Sequence, residues 1–540
     1  MSNETRKGLI RIVSNYMRLI LTLVLGLSVV PLTLRWLGED AFGIISLLGA
    51  NFGLAGIFSQ IISMSIVREL AQAYHKDDET FRVNYSVICM VTLIFAALSL
   101  LSFAIIYAIV PVFKISPDFI GPARWFVVGQ ASITTVRIIL SPVLNMYLVK
   151  EMFIGYNIWF VGVRATNIIS VLVLGYVFAI DDPKQGLLAL GVLWAVLSIL
   201  GFGIAVAALI RLDPRLKFRY SFGNRESRSQ VMSTFSWNTC VQIAMNLHQQ
   251  VPQLLLNLFF GTLANAAWGI GFRFVSYIRM VTTGVQFGSD AVSARLASGE
   301  DSEKARKQLQ RLINIQTKLT TLVALPAATG IFLYCWPIYH AWVGFTLDSY
   351  SEVMTAAVYM SRILTIALVS RAVSDTWLII LYGAGYVRSY APWVFAGGLA
   401  APVASIILMF VLPESVSMYA PPAMFAFVLF TVHFLGLPFI VGKCLQVNPY
   451  NLFTGVLLPF FATLIAAAAG MGVLAAAGHV GDLGLIGSID RERASGMSAV
   501  AVISSIIVFG LVYAALSYAI VLSADERKRI SGLLMRRKKV

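Results

Sequence analysis

The sequence predicts an all-α integral membrane protein with about fourteen transmembrane helices. Three observations predict it. Of 540 residues, 58% are hydrophobic and only 12% charged, with a mean hydropathy of +0.80; a soluble domain is closer to 45–50% apolar and about 25% charged. Apolar runs long enough to cross a bilayer, roughly 20 residues each, recur along the whole chain. The charged residues fall between those runs and alternate in sign from one connection to the next.

The runs place helices at about 10–35, 41–70, 84–110, 122–148, 152–180, 186–211, 231–259, 264–296, 313–340, 353–382, 388–412, 419–442, 452–477 and 497–522. Several exceed the hydrocarbon thickness, which implies tilt or extension beyond it. The first run continues to Leu34 without a small-residue cleavage site, so it reads as a retained span. With the N-terminus inside, the cytoplasmic connections carry Arg6 and Lys7, Lys76 and Arg82, Lys150, "RLDPRLKFRYSFGNRESRSQ", "ARLASGEDSEKARKQLQR", Arg388, Lys443 and the tail "DERKRISGLLMRRKKV". The outer connections "WLGEDAF", "IDDPKQ", "FFGTLAN", "FTLDSYSE" and "LPESVS" are acidic or neutral, and "GSIDRERASG" is mixed. This distribution places both termini in the cytoplasm. It also accounts for the net charge of +15 as topology rather than nucleic-acid binding. The four cysteines are far apart, with no CxxC or Cys/His cluster, so neither a metal site nor a disulfide framework is expected.

An internal repeat joins "VVPLTLRWLGEDAFGI" (29–44) to "QVPQLLLNLFFGTLANAAWGI" (250–270). Each has Val-Pro, an aliphatic run, a turn glycine and Ala-aromatic-Gly-Ile. It divides the chain into an N-terminal lobe (1–212), a basic linker (213–230), a C-terminal lobe (231–446), two extra helices (447–522) and a basic tail (523–540). Six spans per lobe give both lobes one orientation, and sites in such proteins form where repeats meet.

Polar residues at helical spacing mark wet faces. The fourth span carries Gln130, Thr134, Arg137, Ser141 and Asn145. The first carries Arg11, Asn15, Arg18 and Thr22, and the fifth Asn157, Arg164 and Asn167. The seventh carries Asn238, Gln242, Asn246, Gln249, Gln250, Gln253 and Asn257, with His248 alongside. The eighth carries Arg273, Arg279 and Asp290, the last two almost three turns apart and so on one face. The tenth carries Arg362, Arg371 and Asp375. Amides in membrane helices often serve helix packing; snorkelling suits Arg11 and Arg362, and Arg371 with Asp375 fits a local ion pair. Arg137, Arg164 and Arg279 lie near mid-span, where a guanidinium costs roughly 2.5–3.5 kcal/mol on insertion scales. Seven deep cations (Arg18, Arg137, Arg164, Arg273, Arg279, Arg362, Arg371) face two acids (Asp290, Asp375). Internal pairing does not neutralise that set, which predicts a polar cavity for an anionic ligand. Forked guanidiniums suit phosphate and carboxylate, and amides suit sugar hydroxyls.

The stretch "PLTLRWLGEDAFGIISLLGANFGLAGIFSQIISMSIVRELAQAY", with its Pro-aliphatic-Arg-x-Leu-Gly, acidic pair, "AFGI" and closing "RELA", resembles the start of Wzx-type polysaccharide and oligosaccharide flippases. These share a superfamily with MATE exporters and lipid II flippases. "FSWNTCVQIAMNLHQQVPQLLLNLFFG" is similar to that family's second-half entry helix, although Asn246–Gln249 stands where many relatives carry an acid. The resemblance implies a MATE-like V of two six-helix lobes that passes an undecaprenyl-pyrophosphate-linked glycan from the cytoplasmic to the periplasmic leaflet of a bacterial inner membrane. It is a transporter and not an enzyme on this reading. Arg18, Arg137, Arg164, Arg273, Arg279 and Arg371 would bind the substrate's anionic groups. Gln130, Thr134, Asn145, Asn238, Gln242, Asn246, Gln249 and Gln253 would contact the glycan, and Asp290 and Asp375 would be carriers if H+ or Na+ is coupled. No cofactor is expected. Expected partners are membrane lipids and a glycan polymerase or glycosyltransferases. A lipid II flippase and a MATE-like cation antiporter remain as alternatives.

Overall fold

The computed structural model describes residues 3–49, 58, 66–67, 69–70, 73–74, 77–221, 223, 225–286, 288–297, 302–485 and 489–528; side chains at 3–13, 226–228, 230–241, 291, 302 and 482 lie outside that description. The described residues are almost entirely helical, with no strand among them. In a bilayer that is the physical requirement, because a helix satisfies its own backbone groups where no water can.

Among the described residues, eleven helices are long and apolar enough to cross a membrane: Ser14–Leu48, Asp78–Val112, Pro117–Val149, Phe153–Val177, Pro183–Leu212, Glu303–Thr346, Tyr350–Gly383, Val387–Val411, Ala420–Leu445, Pro449–Ala476 and Ala499–Val521. The chain is a multi-pass membrane protein. Most of the predicted second span lies outside the described residues. The predicted seventh and eighth spans are helices, Arg225–Phe260 and Thr262–Gln286, whose amides and charges keep them out of the apolar set. Several starts are capped as their sequences dictate. Asp77 accepts from Thr80 N at 2.7 Å, Asp182 accepts from Lys184 N at 3.0 Å before Pro183, and Asn448 accepts from Tyr450 N at 3.0 Å.

Three helices differ from the sequence reading. The helix read as starting at 313 starts at Ser302 and runs to Val343, 42 residues or about 63 Å. Its polar first turns, with the Lys307–Glu303 ion pair at 2.8 Å, form a charged extension where a loop is predicted. The eighth helix does not run unbroken to 296. It ends at Gln286 and restarts at Ser289, with Gly288 at φ +81° between, so the three-turn register assumed for Arg279 and Asp290 does not hold. The twelfth helix contains a wider π-helical stretch, Leu429–Gly436, before restarting at Leu437–Pro438.

The chain forms two compact units. The first comprises Met1–Ile270, Thr346–Ser349 and Val394–Pro421; the second comprises Gly271–Phe345, Tyr350–Trp393 and Pro422–Val540. The first unit has a core of Phe81, Tyr85, Ile138, Phe202, Leu209 and their neighbours, with Phe81 and Tyr85 stacked at 5.6 Å. On its predicted cytoplasmic side Asp213 gathers charges. Lys150 donates to it at 2.5 Å and Arg215 at 3.0 Å, while Arg215 also pairs with Asp78. The hydrogen bonds from Arg215, then that from Lys150, hold the Asp213 carboxyl well below the usual carboxylate range.

The repeat is visible in the first unit's backbone. Its two turn glycines both sit in the left-handed region, Gly38 at φ +77° and Gly261 at φ +85°, which explains why glycine occupies both. The two "A-aromatic-G-I" glycines allow close packing. A methyl group at Gly43 would overlap the Thr262 backbone, and one at Gly269 would overlap Ser46 and Phe42. Glu39 accepts from Ser349 N at 2.9 Å, and Thr262 donates to Asp40.

In the second unit the last two apolar helices dock on the Ser302–Val343 helix. Tyr334 and Ser505 hydroxyls are 2.7 Å apart, Ser505 donates to Gly470 O at 2.6 Å, Tyr513 donates to Leu322 O at 2.8 Å, and Lys318 pairs with Glu526 at 2.6 Å. Cys89, Cys335 and Cys444 are free thiols.

Candidate functional site

Each unit brings part of the predicted arginine set together, and does so differently. In the first unit Arg18, Arg137 and Arg164 come from three helices: Asn3–Leu48, Pro117–Leu144 and Phe153–Leu172. All three act electrostatically on the Tyr156 hydroxyl, and Arg137 and Arg164 act on each other. Aromatic faces hold two of them. Arg18 lies 5.4 Å from the Tyr156 ring centroid and 5.3 Å from that of Phe160, and Arg164 lies 5.6 Å from Phe160, within cation–π range. Asn157 donates to Ser14 Oγ at 2.6 Å and Asn15 Oδ1 at 3.1 Å, tying the first helix to the fifth span at the cluster. Tyr156 and Phe160 fall outside the polar stripe of their span. The signal was there, because Tyr156, Phe160 and Arg164 follow at i, i+4 and i+8 on one face.

The predicted spans of the N-terminal lobe contain one acid, Glu69, at the end of the second. The acids Glu39, Asp40, Asp118, Asp182 and Asp213 lie in connections. The positive excess within the predicted spans is therefore written into the sequence, and the structure brings Arg18, Arg137 and Arg164 of it near one another.

The amide stripes divide. Gln130 is fully buried, and neither side-chain polar atom has a hydrogen-bond partner among the described residues; Thr134, four residues on, is also buried. Asn145 donates to Ser141 O at 2.9 Å. On the seventh span Asn246 donates to Gln242 O at 3.0 Å, Gln253 is buried and Gln249 half-buried. Asn257 accepts from Lys114 N at 3.1 Å and so braces a turn. The Asn238 side chain lies outside the described residues.

In the second unit Arg279, Arg371 and Asp375 form one group. Arg279 Nε donates to Asp375 Oδ2 at 2.8 Å, and Arg371 Nε donates to Oδ1 at 3.0 Å. Two arginines thus share one carboxylate, and one positive charge remains. The local Arg371–Asp375 pair is present, as its i, i+4 spacing allows, and Arg279 joins it from another helix, which spacing within one helix does not show. The helices carrying them run parallel. Gly271 abuts Ala357 and Ser361 at one end and Gly383 abuts Asp290 and Ser293 at the other, so the charged group lies midway along the contact. A buried network supports it: Gln286 donates to Ala372 O at 2.8 Å and Thr376 Oγ1 at 3.0 Å, and Thr376 meets Thr320 at 2.9 Å.

Three predicted residues stand apart from this group. Asp290 is exposed beyond the Gly288 break. Arg273 is half-buried, with no side-chain hydrogen bond or ion pair among the described residues. Arg362 neither snorkels nor joins the cations. It donates to Phe332 O at 3.2 Å, Gly484 O at 2.5 Å and Leu483 O at 2.7 Å, fastening the connection between the last two apolar helices.

No family profile matches the chain, and no curated relative is found by sequence. Solved structures do match. A lipid II flippase, MurJ, in an inward closed conformation superposes with a TM-score of 0.66 over 95% of this chain and 98% of its own, at 13% identity. The fold is MOP-like. An inward-facing multidrug resistance MATE transporter of the MOP superfamily matches at TM-score 0.62 and 12% identity, covering 78% of this chain and 95% of its own. A MOP superfamily transporter from Pyrococcus furiosus, described as having a binding pocket of reverse polarity, matches at 0.53 and 12%, over 82% of this chain and 95% of its own. At these identities the likeness establishes architecture.

Proposed function

We propose that this protein is a flippase for lipid-linked oligosaccharides, moving an undecaprenyl-pyrophosphate glycan from the cytoplasmic to the periplasmic leaflet of a bacterial inner membrane. The observation that carries the reading is the placing of Arg18 over the Tyr156 and Phe160 rings and of Arg164 over Phe160, with Arg137 in electrostatic range of Tyr156 and Arg164, from predicted spans with a single acid in six. Cations concentrated at membrane depth call for an anion. A pyrophosphate diester supplies two negative charges and its glycan supplies hydroxyls for Gln242, Gln249 and the other amides. The prenyl tail stays in lipid. Fourteen crossings, cytoplasmic termini, lobes at 1–212 and 231–446, extra helices at 447–522 and alternating access through a cationic central cavity belong to the same proposal.

No covalent step is involved. With the cell interior negative, outward movement of two negative charges gains roughly 4–5 kcal/mol at 100 mV, so an uncoupled anion flip suffices. If H+ or Na+ is coupled, Asp290 and Asp375 are the carriers. A glycan polymerase and glycosyltransferases are the expected partners. A lipid II substrate is the second reading, favoured by the match over 95% of the chain.

The test is reconstitution in liposomes with a prenyl-pyrophosphate glycan that bears an acidic sugar, following its exposure to a membrane-impermeant oxidant. Wild-type protein should move it, while Arg137→Ala and Arg279→Ala should abolish movement at normal protein levels. Wild-type rates in both variants would overturn the reading. Faster movement of lipid II than of the glycan lipid would establish the second reading instead.

A further inference from the structure

The two arginine groups differ in charge, and that difference has a consequence for the substrate. In the second unit a carboxylate sits between the guanidiniums, bonded to the Nε edge of each. The terminal nitrogens are left over. Arg279 is about two-fifths exposed (41%), whereas Arg371 is 4% exposed, and its Nη1 is buried with no hydrogen-bond partner among the described residues. An unpartnered guanidinium nitrogen in a buried position costs free energy until an acceptor reaches it.

We propose that Arg279, Arg371 and Asp375 form a receptor for one carboxylate, and that Asp375 is its positioning residue. The inference rests on the flippase reading and names a substrate class within it: glycans that carry a sugar acid. The argument is one of charge and shape. Two guanidiniums and one carboxylate leave a single positive charge, which a monoanion neutralises. A dianion would bring excess negative charge against Asp375. The planar carboxylate matches the two forward N–H groups of a guanidinium. Asp375 keeps the side edges of both arginines occupied, so their repulsion is offset and their free ends are held in place. Protonating either Asp375 oxygen would remove an N–H···O bond and leave the arginines facing each other without a counter-ion. By this geometry Asp375 serves as a fixed counter-ion, which narrows the carrier role to Asp290 if H+ or Na+ is coupled. The supporting network acts to the same end, since Gln286 and Thr376 fix the helix turn on which Asp375 stands.

The experiment uses the full chain in lipid nanodiscs and free probes: glucuronate, glucose and dimethyl phosphate, a singly charged non-planar anion. Binding is followed by saturation-transfer difference NMR. Glucuronate should bind at least tenfold more tightly than glucose and severalfold more tightly than dimethyl phosphate. Arg279→Gln should weaken glucuronate at least tenfold, and Arg279→Lys should restore part of it. Asp375→Asn should weaken it while Asp375→Glu retains it; should Asp375→Asn fail to fold, the Arg279 pair still decides. Equal binding of glucuronate and glucose, or full retention in Arg279→Gln, overturns the site. Equal binding of dimethyl phosphate overturns the carboxylate assignment. Because the readout is binding of a free sugar acid, it stands or fails separately from whether the wild-type protein moves a lipid-linked glycan.

Discussion

Gly43 lies directly against the backbone of Thr262, so close that a methyl group would overlap the Thr262 carbonyl oxygen. Its counterpart in the repeat, Gly269, lies against Ser46 and Phe42. The two positions are equivalent in the repeat but not equal in tolerance. A backbone carbonyl cannot move aside, whereas the Ser46 hydroxyl can rotate. Gly43→Ala should therefore destabilise the protein by about 1–3 kcal/mol, the usual cost of overpacking, and Gly269→Ala by less. Thermal unfolding in matched detergent checks the order, and equal losses would contradict the packing argument.

Phe160 lies under both Arg18 and Arg164. Phe160→Leu keeps an apolar side chain and removes the ring face. Each cation–π contact is worth about 0.5–2 kcal/mol. The expected outcome is transport reduced severalfold with unchanged monodispersity. A Phe160→Tyr variant should stay near wild type. Undiminished transport in Phe160→Leu would mean that the ring does not position the arginines.

Arg362 and Arg279 look alike in the sequence and should behave in opposite ways. Arg362 holds the Leu483–Gly484 backbone through two of its three carbonyl bonds. Arg362→Gln should cost about 2–4 kcal/mol, since hydrogen bonds to charged groups contribute about 1.5–3 kcal/mol each. It should also speed proteolysis within 477–498, while transport per folded molecule persists. Arg279→Ala should show the reverse, with folding kept and transport lost. Loss of both properties in both variants would remove the distinction.

Asp213 links pH to stability. Its carboxyl is held below the usual range by Arg215 and Lys150. A depressed folded-state value gives stabilisation that is complete above the unfolded-state value, about 3.9, and is lost as pH falls through the lower folded value. Asp213→Asn should thus lower stability by about 1–3 kcal/mol at neutral pH, with the gap to wild type closing as pH falls below about 4. Melting temperatures between pH 3 and 7 test it. A gap that does not change with pH would show that the Asp213 charge plays no part.

Much of this protein is legible without its structure, because a bilayer leaves few choices. Apolar runs must be helices, and the sign of the connecting charges predicts which side they face. The excess of deep arginine over acid is likewise plain in the sequence. Helix ends were less legible. Residues 302–312 read as a charged loop but fold as helix, since beyond the hydrocarbon core the apolar signal stops while backbone hydrogen bonding continues.

The sequence by itself determined the excess of arginine over acid within its apolar runs and the likeness of 29–44 to 250–270. Only the tertiary structure decided which charges act together. Arg18 and Arg164 share the Phe160 ring with Arg137 in electrostatic range, Arg279 and Arg371 share Asp375, and Arg362 turns to backbone carbonyls. Helical periodicity states which residues share a face of one helix. Which helix lies opposite, and at what height, depends on close packing at positions such as Gly271 and Gly383, and that information is spread over residues far apart in the chain.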